Sequence, residues 1–518
     1  MQIKSLKIDN HLCLVDFSIS FSTVDGGSST ILIGENGTGK STMIDAVLEI
    51  LMSFNSPAIE NRIDYNYEIN YEYAQTPHKI TKDGHRYRLQ AGSKVYEGSY
   101  KLIRTVMSKR RVFPQRIVAF YSGANNKLVS KIRQINNQYI KECRSTILFF
   151  QKFMNDDTVT QNPYFPKRKY NYCDEAMTPI YLLSILAGHE SFEKGYLREK
   201  CHFSKIEYVD VCVNLDKVER LFGNEHFDDD YPTRLYYLAD FIDHRFTDYF
   251  RRGFKYTDAG KGYFTLSNLE EIGADSIALF GFFEKLHSLF DACYEVTVPF
   301  GDTSVKVSNM SEGQRQLIKM LGMLGVCKNE DCLVLMDEPD AHMNPKWKYE
   351  IKEIIDNCLK GAVNTQAIIA THDPLVINGV NKDFIKIFTL NNDEAKVVEP
   401  SENTEGLGID GLLQSEYYGL ETSYDEQTRK DFIKRQKLYL KLINGEASES
   451  EKDKLRELTE KLGALPISYN SIDFLYDDFM QIFKKSKFFA KKYLSFKEIQ
   501  QRRKKIKEII STLYEDQA

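Results

Sequence analysis

This sequence predicts an α/β protein: a mixed or parallel sheet flanked by helices, with a β-rich lobe, a helical insertion and a helical C-terminal region. Three observations carry that expectation. The apolar runs Ser29-Thr30-Ile31-Leu32-Ile33, Cys332-Leu333-Val334-Leu335-Met336 and Ala367-Ile368-Ile369-Ala370 each end in polar residues, as buried parallel strands do when their carboxyl ends face a site. The first run leads into Gly34-Glu35-Asn36-Gly37-Thr38-Gly39-Lys40-Ser41, which fits G-x-x-x-x-G-K-[ST] between a strand and a helix. Helical periodicity then fills much of 124–290 and the charged stretch from Asp425 to Leu462.

Composition bounds what such a chain can be. Its 518 residues allow two to four domains, and 42% hydrophobic with 28% charged residues is ordinary globular usage. A net charge of −5 excludes a molecule that is polycationic as a whole, so any nucleic-acid contact has to come from local patches. The nine cysteines show no C-x-x-C pair, and reduced, packed thiols in a cytoplasmic protein are expected. No apolar stretch approaches the roughly 18 residues of a membrane span, and the chain opens on an alternating strand, Met1 to Ile8, rather than a signal peptide.

Along the chain, the glycines of 34–41 let backbone N–H groups curl around phosphates, and the helix start behind them adds a favourable dipole. Lys40 is placed to supply a point charge, and Ser41 a hydroxyl to Mg²⁺. Residues 60–123 read as β-rich, with Asp83-Gly84 favouring a tight hairpin and the many tyrosines forming half-buried sheet surface. The aspartate runs 156–157 and 228–230 read as solvated loops. Ser311 is a natural N-cap for an amphipathic helix from Leu317 to Cys327, and Gly313 permits close backbone approach. Asp337 is placed to hold Mg²⁺ and Glu338 to polarise an attacking water. His372 ends the next strand, where it can sense a γ-phosphate. The last forty residues turn basic, with Lys and Arg from 484 to 507 interleaved with Phe483, Phe488, Phe489 and Tyr493; a solvated helix face is the default, and phosphate or acidic-partner contact the alternative.

Taken in order, these elements resemble the ABC-type ATPase head of the AAA superfamily, in its RecF/OLD-like and SMC-like form. The match covers the Walker A loop, a signature (Ser311-Glu312-Gly313-Gln314), Walker B with its glutamate, a D-loop (Pro339 to Trp347) and a switch histidine. The resemblance implies ATP and Mg²⁺ as cofactors, with Asn36, Gly37, Thr38, Gly39, Lys40, Ser41 and Thr42 at the nucleotide and Ser41 and Asp337 at the metal. It implies catalysis by Glu338 and His372, and a head-to-tail dimer or higher oligomer in which Ser311, Gly313 and Gln314 finish a neighbour's pocket. Gln115 is a candidate for the magnesium-contacting glutamine of the family, which the sequence leaves unassigned. Asn344 departs from the histidine usual in the D-loop.

About 270 residues separate Lys40 from Ser311, and 124–290 contain no sustained heptads, so a long coiled coil is not expected. Phe120-Tyr121-Ser122-Gly123, Glu405 to Leu413 and Ser471 to Phe479 are similar to the Septu-type and retron-associated ATPases of bacterial anti-phage operons. That resemblance implies an HNH nuclease subunit as partner, or a reverse transcriptase with its RNA/DNA product, since no Asp-x-Asp is found beyond residue 390 and no His-Asn-His zinc arrangement appears. The domains expected are 1–123 (first part of the head), 124–295 (mostly helical insertion), 296–424 (second part of the head) and 425–518 (helical, basic). A DNA-clamping repair ATPase and a nucleotide-gated scaffold with little turnover remain the alternatives.

Overall fold

The computed structural model describes residues 1–21, 29–110, 112–114, 116–122, 126–153, 165–166, 168–222, 242–243, 245–247, 255–257, 260–328, 331–362, 365–420, 424–443 and 446–463. The expectations for Gln115, the aspartate runs, Ser471 to Phe479 and the basic tail lie outside those residues. The chain divides into two compact units, Met1–Gly406 and Leu407–Ala518.

The first unit is built on a seven-stranded sheet in the order Glu394–Val398, Ile385–Asn391, Ser29–Ile33, Gln366–Ala370, Cys332–Asp337, Arg116–Tyr121, Tyr170–Tyr172. All neighbours run parallel except the first pair, so the sheet is mixed with a parallel centre, as the sequence predicts. The three apolar runs are its central strands, buried on both faces by flanking helices. Helix Lys40–Ser53 covers one side with Met43, Ile44, Val47, Leu48 and Leu51, each fully enclosed.

Two antiparallel sheets adjoin it in sequence. The β-rich lobe orders Leu14–Ser20, Gln2–His11, Tyr67–Tyr73, Thr76–Asp83, Arg86–Ala91 and Lys94–Gly98. Asp83 pairs with Arg86, so the hairpin closes on Gly84-His85. Tyr65, Tyr67, Tyr71 and Tyr87 are buried rather than half-buried: alternation along Tyr67–Tyr73 turns Tyr67, Ile69 and Tyr71 inward and leaves Glu68, Asn70 and Tyr73 half-buried. A five-stranded sheet orders Lys255–Thr257, Lys261–Leu266, Tyr208–Asn214, Cys293–Phe300 and Thr303–Lys306. The 124–295 stretch therefore holds sheet strands beside its helices, and the Val209/Val211/Val213 alternation is the sequence signal for them.

In the second unit, Glu426–Ile443 and Glu449–Gly463 pack through Leu438, Leu455 and Leu458. Ser448 caps the latter helix by accepting from Glu451 N at 3.3 Å.

Candidate nucleotide site

Parallel registry brings the functional residues to one edge. Asp337 stands opposite Ala370 and Tyr121, and Ala370 opposite Leu32, so the loops after Ile33, Ala370, Asp337 and Tyr121 leave the sheet side by side. That is the carboxyl edge, where α/β sheets bind ligands. Arg116 pairs with Cys332 at the opposite end of the same strands, so the strand that Gln115 precedes begins away from the site.

At the phosphate loop, Gly34 has φ 147°, and a Cβ there would lie 2.2 Å from the Phe388 carbonyl oxygen of the adjacent strand. No other residue fits so close to a neighbouring backbone. Asn36 and Gly37 stand exposed at the rim, while Thr38, Gly39 and Lys40 are buried and Thr42 half-buried. Thr38 Oγ1 donates to Glu35 O at 2.8 Å. Lys40 Nζ donates to the carbonyls of Gly34 (2.7 Å) and Glu35 (2.9 Å). Burial lowers its pKa, against the pull of Glu338 and Asp337.

Two side-chain pairs complete the site. Ser41 Oγ donates to Asp337 Oδ1 at 2.9 Å. Burial pushes the Asp337 carboxyl up to about 6, against the Ser41 hydrogen bond and with help from Glu338. His372 Nδ1 lies 2.7 Å from Glu338 Oε1, both side chains partly exposed. Glu338 has φ 51°, in the left-handed region, where its N–H still reaches Ala370 O at 2.8 Å. That conformation costs energy for a residue with a Cβ and is held here by the surrounding strand ends.

Behind these pairs runs a network that sequence reasoning missed. Thr371 Oγ1 donates to the buried Asp340 at 2.9 Å, and Lys348 Nζ bonds Asp373 at 2.6 Å and approaches Asp340 at 3.9 Å. It joins the D-loop to the residues on either side of His372. Its signals were local: Asp373 caps the helix begun by Pro374, and Asn344 caps the helix begun by Pro345, accepting from Lys346 N at 2.9 Å. The departure from histidine at 344 thus leaves a good N-cap. Tyr121 OH, donating to Asp45 Oδ1 at 2.6 Å, is a second unforeseen link.

Ser311 caps helix Glu312–Cys327 in a capping box with Gln314. Its side chain bonds Gln314 and not the phosphate loop of its own chain. A Cβ on Gly313 would lie 2.7 Å from His342 O, so the helix start presses directly on the D-loop backbone. Gln316 Nε2 donates to Pro339 O at 3.4 Å from the next turn.

A phosphate loop, a Ser–Asp pair and a Glu–His pair at one sheet edge define a P-loop ATPase head. Residues 1–210 match the family described as "AAA ATPase domain", and residues 214–378 the one described as "AAA domain, putative AbiEii toxin, Type IV TA system". The chain therefore carries AAA-family ATPase domains. It is similar to the Septu protein PtuA of Bacillus mycoides (strain KBAB4), with 30% identity over 177 residues, 32% of this chain and 24% of the relative. It is also similar to the "Retron Vc95 probable ATPase" of Vibrio cholerae serotype O1 biovar El Tor, with 28% identity over 130 residues, 23% of this chain and 25% of that one. The matched stretches thus span about a quarter of those relatives' length. The solved head of Smc bound to the C-terminal winged-helix domain of ScpA superposes with a TM-score of 0.34 at 14% identity, covering 77% of this chain and 97% of that one.

Proposed function

We propose that this protein binds and hydrolyses ATP with Mg²⁺ in the cytoplasm, as the regulatory subunit of a bacterial anti-phage complex that controls a partner nuclease. The observation that carries the reading is the adjacency of Ser41–Asp337 and Glu338–His372 at the carboxyl edge of a parallel sheet. The likeness to a Septu protein and a retron ATPase supports the defence setting. The partner is an HNH nuclease in the Septu arrangement, or a reverse transcriptase with its RNA/DNA product in the retron one. Among the described residues no helix is long and apolar enough to cross a membrane.

ATP and Mg²⁺ fit the residues present. A carboxyl raised by burial and held by a serine hydroxyl gains from a divalent cation, and a buried ammonium held by carbonyl oxygens gains from phosphate. When bound, Mg²⁺ neutralises charge on the β/γ-phosphates. Asn36 to Gly39 would offer their backbone N–H groups, Lys40 would exchange its carbonyls for phosphate oxygens, and Ser41 and Asp337 would hold the metal with Thr42 beside them. Glu338 takes the proton from the attacking water. His372 fixes that carboxylate through Nδ1. Ser311, Gly313 and Gln314 close over the nucleotide of a second copy.

Glu338→Gln keeps the shape and removes the base. Phosphate release should fall about 10²-fold or more, with ATP retained on the protein. Turnover at the wild-type rate would refute the assignment.

A further inference from the structure

The five-stranded sheet carries two cysteines for which the nucleotide site has no use. Cys212, on the strand Tyr208–Asn214, stands directly opposite Cys293, on Cys293–Phe300. Directly opposed residues of an antiparallel pair share one face, with Cα atoms about 4.5–5.5 Å apart. A disulfide accommodates Cα separations of about 4.4–6.8 Å, so the backbone already meets its requirement. Accessibility agrees. Val209, Val211 and Val213 point into the core, while Cys212 lies on the outer face with Asp210. Cys293 lies on that face with Glu295 and is exposed. Of the remaining cysteines, Cys143, Cys173, Cys201, Cys327, Cys332 and Cys358 are buried, and Cys13 sits apart beside Gly39.

We propose that Cys212 and Cys293 are a reversible redox pair, which low-molecular-weight disulfides such as glutathione disulfide convert to a cross-strand disulfide. The more exposed Cys293 loses its proton and attacks one sulfur of glutathione disulfide. That S–S bond breaks, one glutathione thiolate leaves, and a mixed disulfide forms. The Cys212 thiolate then attacks the Cys293 sulfur and expels the second glutathione thiolate. Two protein thiols are oxidised, one glutathione disulfide is reduced to two thiols, and the two protons released are taken up by the leaving groups. Burial, and then the neighbouring Cys212, raise the Cys293 pKa, so exchange quickens as pH rises. The pair sits close to a functional element: Glu295, the next residue on the same face, accepts from Ser308 N at 3.1 Å, three residues before Ser311. A bond at Cys293 therefore stiffens the strand that anchors the approach to the signature helix.

The full-length protein, incubated with glutathione disulfide, alkylated and peptide-mapped without reduction, tests this. The expected product is a Cys212–Cys293 linked peptide pair that dithiothreitol abolishes. In Cys212→Ser, glutathione should instead accumulate on Cys293 several-fold above the wild type. Glutathione retained on both cysteines of the wild type with no linked pair would overturn the proposal, as would equal adduct on Cys293 in the two proteins. The peptide map needs no ATP turnover, so its outcome is separate from that of the ATPase assignment.

Discussion

Asp337 is the residue whose chemistry depends most on its surroundings. Burial first, and Glu338 second, push its carboxyl from 3.8 up to about 6, while Ser41 pulls the other way. The sign follows from linkage. The folded state holds the proton more tightly than the unfolded chain, so the metal-free protein loses stability as pH rises from about 4 to 6 and carries the full penalty above that. Under the proposed function, Mg²⁺ would compete for the same oxygen. Magnesium-dependent nucleotide affinity should therefore be level near pH 7.5 and fall about tenfold per unit below pH 6. Asp337→Asn should abolish that dependence and weaken metal binding, and should raise the stability of the metal-free protein at pH 7 by up to roughly 3 kcal/mol. Equilibrium nucleotide binding and urea unfolding across pH 5–8 measure both; an unchanged pH profile in the variant would assign the titration to another group.

Between elements, the contact that matters most is that of helix Glu312–Cys327 with the D-loop. Gly313→Ala places a methyl 2.7 Å from the His342 carbonyl oxygen, which belongs to backbone and cannot swing aside. The overpacking should cost about 1–3 kcal/mol and displace the loop that directly follows Glu338. Turnover should drop at least tenfold, with ATP affinity little changed. Gly325→Ala, on the same helix, meets only ordinary contact at 3.6 Å from Glu193, and should be neutral or gain up to about 1 kcal/mol from helix propensity. Equal effects of the two substitutions, in melting temperature and phosphate release, would remove the D-loop contact from the explanation. The contrast also shows what a linear chain reveals. Local chemistry was legible: Ser311 as a cap, the three apolar strands, and the glycines around Lys40 all follow from spacing and residue type. Neither the strand order, nor the left-handed Glu338, nor His342 as the partner that Gly313 approaches could be read, because each is set by residues dozens to hundreds of positions away.

For the molecule as a whole, the arrangement of Ser311 is the decisive constraint. Its hydroxyl is committed to Gln314, it is exposed, and its helix faces the D-loop rather than the phosphate loop of its own chain. Under the proposed function, a serine so placed would finish a neighbour's nucleotide pocket in a head-to-tail pair with two shared sites. The consequence is quantitative. Lys40→Ala removes the phosphate grip and Ser311→Ala the closing group, so each variant alone should be inactive in a symmetric dimer. Mixed in equal amounts and allowed to exchange, half of the dimers become heterodimers. In each of these one site carries both defects and the other carries neither. Phosphate release should then recover to about a quarter of the wild-type rate, the share expected for two-fold pairing with random exchange. Were both groups to serve the same nucleotide within one chain, no mixture could restore a complete site. A flat response at every mixing ratio, with exchange verified by mass, would therefore place Ser311 in the site of its own chain, together with Lys40, Asp337 and Glu338, and remove the shared pockets.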